Sequence, residues 1–182
     1  MSGYNPGGFK ISNNKVKEII TLLNLDKDDI KSIKRNLKLV KSTLKSGDMQ
    51  LAKVISLNPL QIACFSDEFD SVLIYQYPTD LINKYHLYEN EYLVCSNSYW
   101  PKEYFSIESD IILGENASNK WRDVICFVPL FLCNEKQELF SRNIVSKIFT
   151  DKEFEHFEES IKLYLEKKPN TTRIGFKTLI KY

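Results

Sequence analysis

The stretch LAKVISLNPLQIACFSDEFDSVLIYQY, residues 51–77, decides the fold class. Three short runs, 51–57, 60–65 and 72–77, are rich in branched and aromatic residues. Asn58-Pro59 divides the first two, and the polar segment 66–70 divides the last two. Side chains of this kind fit a pleated, half-buried surface. Their spacing predicts an antiparallel meander.

Upstream of the meander the period is helical. Ser12 is a candidate cap for a first helix carrying Val16, Ile19, Ile20 and Leu23 on one face. Asp26 to Asp29 offer a second N-cap, and Ile30, Ile33, Leu37, Val40 and Leu44 continue an apolar stripe. Gly47 stands where a left-handed C′ glycine belongs. The expectation is an N-terminal helical hairpin, preceded by a flexible arm over residues 1–11 with Gly3, Pro6, Gly7 and Gly8.

Downstream, residues 79–86 read as a short helix and 91–96 as a strand. Residues 97–122 read as a long loop with one short strand at 110–113, and 124–132 as a central strand whose pairing Pro129 limits. Phe140, Ile144 and Ile148 share a helical face. Thr150 with Glu153 makes a capping-box pattern, after which Phe154, Phe157, Ile161 and Leu165 run on to Pro169. Alternation over 172–180 predicts a final strand with Arg173 and Lys177 on its wet face. The fold expected is α+β, with a helical hairpin, a mainly antiparallel sheet, two C-terminal helices and a last strand. It forms a single domain over 12–182.

Composition narrows the function classes. A chain of 182 residues with net charge +1 has no global pull toward nucleic acid or an anionic membrane. The charge is unevenly spread, however: +5 over residues 1–50, −6 over 51–130 and +2 over 131–182. Cys64, Cys95, Cys126 and Cys133 lie in or beside apolar runs without a CxxC pair, which predicts reduced core thiols, no zinc site and no metal. The segment MSGYNPGGFK has no apolar core of a signal peptide, so the expected location is cytoplasmic.

Catalytic signatures are sparse. There is no GxSxG elbow and no phosphate-binding loop, and only His86 and His156 are histidines. Glu153 and His156 have the spacing of half a di-iron site, but the second half is missing. The reading is therefore more non-catalytic than catalytic, with no cofactor.

Two charged features remain. Lys27, Lys31, Lys34, Lys38, Lys41 and Lys45, with Arg35, form a cationic stripe suited to tracking phosphates, or simply to solvent. Asp67, Glu68 and Asp70 crowd one connection between strands. They suit a protein-binding face, a hydrolytic site or plain turn geometry. Trp100 and Trp121 flank the irregular stretch as candidate interface anchors or as covers for a sheet edge.

The segment Asn58-Pro-Leu-Gln-Ile-Ala63 with Ser66-Asp-Glu-Phe-Asp70 resembles a strand-turn pattern, NPLxxAxxSDExD, of small uncharacterised bacterial proteins. In style the chain is similar to immunity proteins of bacterial toxin systems. That likeness implies a non-catalytic, protein-binding role with a toxin as the example partner; the crowded charge of Asp67, Glu68 and Asp70 and the loop placement of Trp100 and Trp121 make these the expected partner-binding residues. The alternatives are a nucleic-acid-associated protein using Lys31, Lys34, Lys38 and Lys41 on the helix over 27–45, and a hydrolase using the turn at 66–70.

Overall fold

Local chemistry starts both N-terminal helices in this computed structural model, which describes residues 6–103 and 106–180. Helix α1 spans Asn13–Leu22, and the Ser12 hydroxyl accepts from the Lys15 amide at 3.3 Å. Helix α2 spans Lys27–Ser46, and Asp26 Oδ1 accepts from the Asp28 and Asp29 amides at 2.8 Å each. Such a cap satisfies donors that the first turn leaves without helical partners. Ile33, Val40 and Leu44 line the buried face of α2.

Gly47 has φ −66°, so it is not the left-handed terminator expected from the sequence. A Cβ there would collide with the Thr43 carbonyl and lie 2.7 Å from the Asn97 carbonyl. The glycine lets the end of α2 approach the sheet.

The sheet has the order β5-β4-β1-β2-β3-β6. Its strands are β1 Asp48–Leu57, β2 Leu60–Ser66, β3 Ser71–Tyr77, β4 Tyr92–Pro101, β5 Trp121–Phe127 and β6 Arg173–Ile174. Neighbours pair antiparallel except β3 with β6, which pair parallel. A short helix, α3, Asp80–Tyr85, separates β3 from β4. After β5 come a 3-10 turn at Pro129–Phe131 and another at Glu135–Gln137. Helices α4 Glu138–Asn143, α5 Val145–Ile148, α6 Asp151–Lys167 and α7 Lys177–Ile180 complete the chain. The architecture is thus α+β, with helices at both ends of the chain and a mixed, curled sheet.

Register fixes the faces. Ala52 opposes both Cys64 and Leu93, Gln50 opposes Cys95, and Asn97 opposes Cys126. Opposed residues share a face and alternate residues repeat it. Cys64, Cys95 and Cys126 therefore point into the same side. Helix α6 covers the other side, where Phe157 meets Phe65 and Phe154 meets Tyr92, with ring centroids 6.0 and 4.8 Å apart. Helix α2 covers that side too: Ser96 Oγ donates to the Thr43 carbonyl at 2.6 Å.

On the thiol side the sheet curls until its ends meet. Arg173 of β6 donates to the Val124 carbonyl of β5 at 2.8 Å. Tyr77 seals the curl against Phe131 and Phe176, each with a ring centroid 5.1 Å away.

Several expectations are corrected here. Residues 6–11 are seated in the fold: Phe9 is 1% exposed, and its amide donates to the Leu44 carbonyl at 3.0 Å. Residues 1–5 of the expected arm lie outside the described residues. The apolar run at 124–132 is an edge strand in pairing order that turns into a 3-10 turn at Pro129. It is apolar because it is buried. Residues 110–113 form no strand, and β4 extends to Pro101. The final alternation breaks after Ile174, because Gly175 packs against the Tyr77 ring too closely for any Cβ and Phe176 has φ 65°. Arg173 accordingly faces inward, away from the wet face expected for it.

All four cysteines are free and buried. Burial pushes the Cys133 thiol up to about 11, which leaves little thiolate at neutral pH. We expect labelling by a thiol reagent to follow global unfolding, read as one denaturant-dependent rate for all four. Rapid labelling of any one thiol in the native protein would contradict this packing.

Candidate functional site

The stripe on α2 is laid out as its spacing requires. Lys27, Lys31, Lys34, Arg35, Lys38, Lys41 and Lys45 are all exposed. At 1.5 Å per residue, Lys27 to Lys45 spans about 27 Å. Lys31 pairs with Asp28 at 3.1 Å, and Arg35 donates to Ser32 Oγ at 2.9 Å. Lys34, Lys38, Lys41 and Lys45 have no ion-pair partner among the described residues. Helix α7 packs on α2, with Asn36 Nδ2 donating to the Leu179 carbonyl at 3.1 Å, and it carries exposed Lys177.

The acidic turn is built differently. Tyr99 donates its hydroxyl to Asp67 Oδ1 at 2.8 Å. The Glu68 and Phe69 carbonyls accept from the Ser118 and Gly114 amides, both at 2.9 Å. Asp70 Oδ2 accepts from the Asn116 amide at 2.9 Å and from its side chain at 3.1 Å, and Oδ1 meets His156 Nε2 at 2.6 Å. Asp70 has φ 50°, and Gly114 lies so close to it that a Cβ would collide. The turn is a clasp joining the loop at 114–118, the end of β4 and helix α6.

The Asp70 side chain is 8% exposed and that of His156 45%. Burial pushes the Asp70 carboxyl up, but the Asn116 amide and His156 outweigh it and hold the group below its ordinary range. A carboxyl depressed by folding stabilises the protein above its unfolded pKa and loses that contribution as pH falls through the folded value. Stability should therefore decline on acidification below about pH 4. Asp70→Asn should lower the unfolding free energy by about 1–3 kcal/mol at pH 7 and reduce its acid dependence. Urea titrations at pH 7 and pH 3 check both; an unchanged acid dependence would remove Asp70 as a cause.

For a hydrolase the Asp70–His156 pair would need a nucleophile on the ring, and among the described residues no hydroxyl or thiol is hydrogen-bonded to it. Ser160 Oγ donates to the His156 backbone carbonyl at 2.9 Å and not to the ring. Among the described residues no three His, Cys, Asp or Glu side chains are placed to hold a metal.

Trp100 and Trp121 are half-buried at the far end of β4 and β5. Trp121 stacks at a tilt on Tyr99, centroids 5.5 Å apart, and its Nε1 is buried without a hydrogen-bond partner. Asn97 Oδ1 and Glu68 Oε2 are buried likewise. Asn97 is tied to this corner through its amide, which donates to Tyr99 Oη at 3.4 Å.

Sequence reasoning missed the charged groups that the fold buries. Arg173 binds Asp110 at 2.6 and 2.8 Å and Asp123 at 2.8 Å. Arg142 pairs with buried Glu91 and also donates to the Tyr85 carbonyl. Lys15 reaches the Leu130 carbonyl and Glu138, both at 2.7 Å. The partners are far apart in sequence, so no local spacing announces them.

No described helix is long and apolar enough to cross a membrane. Comparison with protein families, curated proteins and solved structures returned no match.

Proposed function

We propose that this is a binding protein that docks nucleic acid along α2, in the cytoplasm and without a cofactor. The observation that carries the reading is the contrast between two charged features. The lysines of α2 stand exposed on one face, and five of them, Lys27, Lys34, Lys38, Lys41 and Lys45, have no ion-pair partner among the described residues. Asp67 and Asp70 of the turn at 66–70 spend their carboxylates on internal hydrogen bonds. A line of free cations tracks phosphates and gains affinity from counterion release. The stripe has no stacking aromatics and one Arg, which favours backbone contact over base readout.

The protein-partner reading, with a neutralised toxin as its example, rests on the same turn acting outward together with Trp100 and Trp121. It expects a D67N/E68Q/D70N triple variant to keep its stability and to lose association rate with a basic partner. The inward contacts support the opposite outcome, a loss of stability. Anisotropy titrations of labelled duplex and single-stranded DNA and RNA at low ionic strength test the main reading. Poly-glutamate serves as an acidic protein mimic. Binding of nucleic acid is expected; binding of poly-glutamate alone would move the partner to an acidic protein, and binding of neither would remove α2 from the account.

A further inference from the structure

A cup of about 500 Å³ opens between the turn before β4 and helices α4, α5 and α6. Its walls combine aromatic side chains with donors. Tyr92 and Phe154 meet edge to face at 4.8 Å, and Tyr88, 61% exposed, stands as a third ring on the rim. Asn90, Asn143 and Ser146 supply neutral polar groups.

Two cations line the cup, Arg142 and Lys147. Arg142 is held by Glu91 and the Tyr85 carbonyl, so its position is fixed and its charge partly neutralised. Lys147 has no ion-pair partner among the described residues. Glu158 binds Lys53 at 2.7 Å and accepts from the Tyr92 hydroxyl, which locks that ring in the wall. The carboxylates bonded to the lining, Glu91 and Glu158, are thus both paired, and Lys147 is the lining cation without an ion-pair partner among the described residues.

An exposed ring such as Tyr88, beside one free ammonium and neutral amides, suits a planar aromatic group that carries an anion. A volume of this size is ordinary for a small-ligand site. We propose that the cup binds a nucleoside monophosphate, with the base against Tyr88 and the phosphate on Lys147. The inference does not rest on the reading of α2.

The test is calorimetric titration of the intact protein with AMP, adenosine and ribose 5-phosphate. AMP should bind about tenfold more tightly than either fragment, since each lacks one of the two contacts. Lys147→Gln should weaken AMP about tenfold and leave adenosine unchanged. Tyr88→Ala should weaken AMP and adenosine together. Both positions are exposed, so the variants should fold, and unfolding curves matching wild type verify that. No saturable AMP binding up to about 10 mM, far weaker than a useful site, would overturn the proposal. AMP binding that survives both variants but is lost in K38Q/K41Q would also overturn it, by assigning the ligand to α2.

Discussion

Arg173→Gln is expected to lower the unfolding free energy by about 3–5 kcal/mol, the typical cost of breaking a buried ion pair from one side. Arg173 sits where the two ends of the curled sheet meet. It touches Asp110 of the long loop, Asp123 of β5 and the Val124 carbonyl, so one side chain ties three segments. Burial works against its charge, and the two carboxylates more than offset that. Burial likewise pushes the Asp110 carboxyl up, and Arg173 pulls it below its ordinary range. Glutamine would leave Asp123 buried and Asp110 half-buried with far fewer donors. Asp110 therefore adds to Asp70 in the acid-dependent loss of stability, which is complete only below both folded values. Urea denaturation at pH 7 measures the difference. A loss below about 1 kcal/mol would mean that the hydrophobic seal at Tyr77, Phe131 and Phe176 closes the sheet by itself.

What was legible in the sequence is what depends on near neighbours. The caps at Ser12, Asp26 and Thr150 lie within three residues of the amides they bind, and all three form. Strands β1, β2 and β3 follow one another across short turns, so composition and spacing locate them. The outward face of α2 follows from its 3.6-residue period. Position within the sheet was not legible. The apolar run before Pro129 reads as a central strand, yet it lies at an edge, since a curled sheet buries its edges as well. The alternation after Thr172 continues as a pattern while the backbone departs from it at Gly175 and Phe176, where the Tyr77 ring dictates the path.

The candidate site divides the same way. That lysines on a wet helix face stay free is a local inference. That the carboxylates at 67 and 70 turn toward Tyr99, Asn116 and His156 is not, because those partners arrive from residues 32 to 86 positions away. A charge run in a connection looks alike whether it faces solvent or fastens a loop.

The second large effect is on binding. Changing Lys31, Lys34, Lys38 and Lys41 together to Gln removes four charges from one face and leaves the apolar stripe of α2 intact. Glutamine has a helix propensity close to that of lysine, and the positions are exposed, so stability should change by about 0.5 kcal/mol or less per site. Affinity for duplex DNA or RNA should fall roughly a hundredfold or more at 50 mM salt, because each phosphate contact also releases counterions. An affinity within about threefold of wild type would place the contacts elsewhere.

The most direct measurement of the central claim is the salt dependence of that binding. For wild type and the four-lysine variant, the logarithm of the association constant is plotted against the logarithm of salt concentration. If α2 tracks the phosphates, both lines fall, and the variant's slope is shallower by about 3 to 4, close to one per lysine removed. Equal slopes for the two proteins, or a wild-type slope near zero, would contradict it.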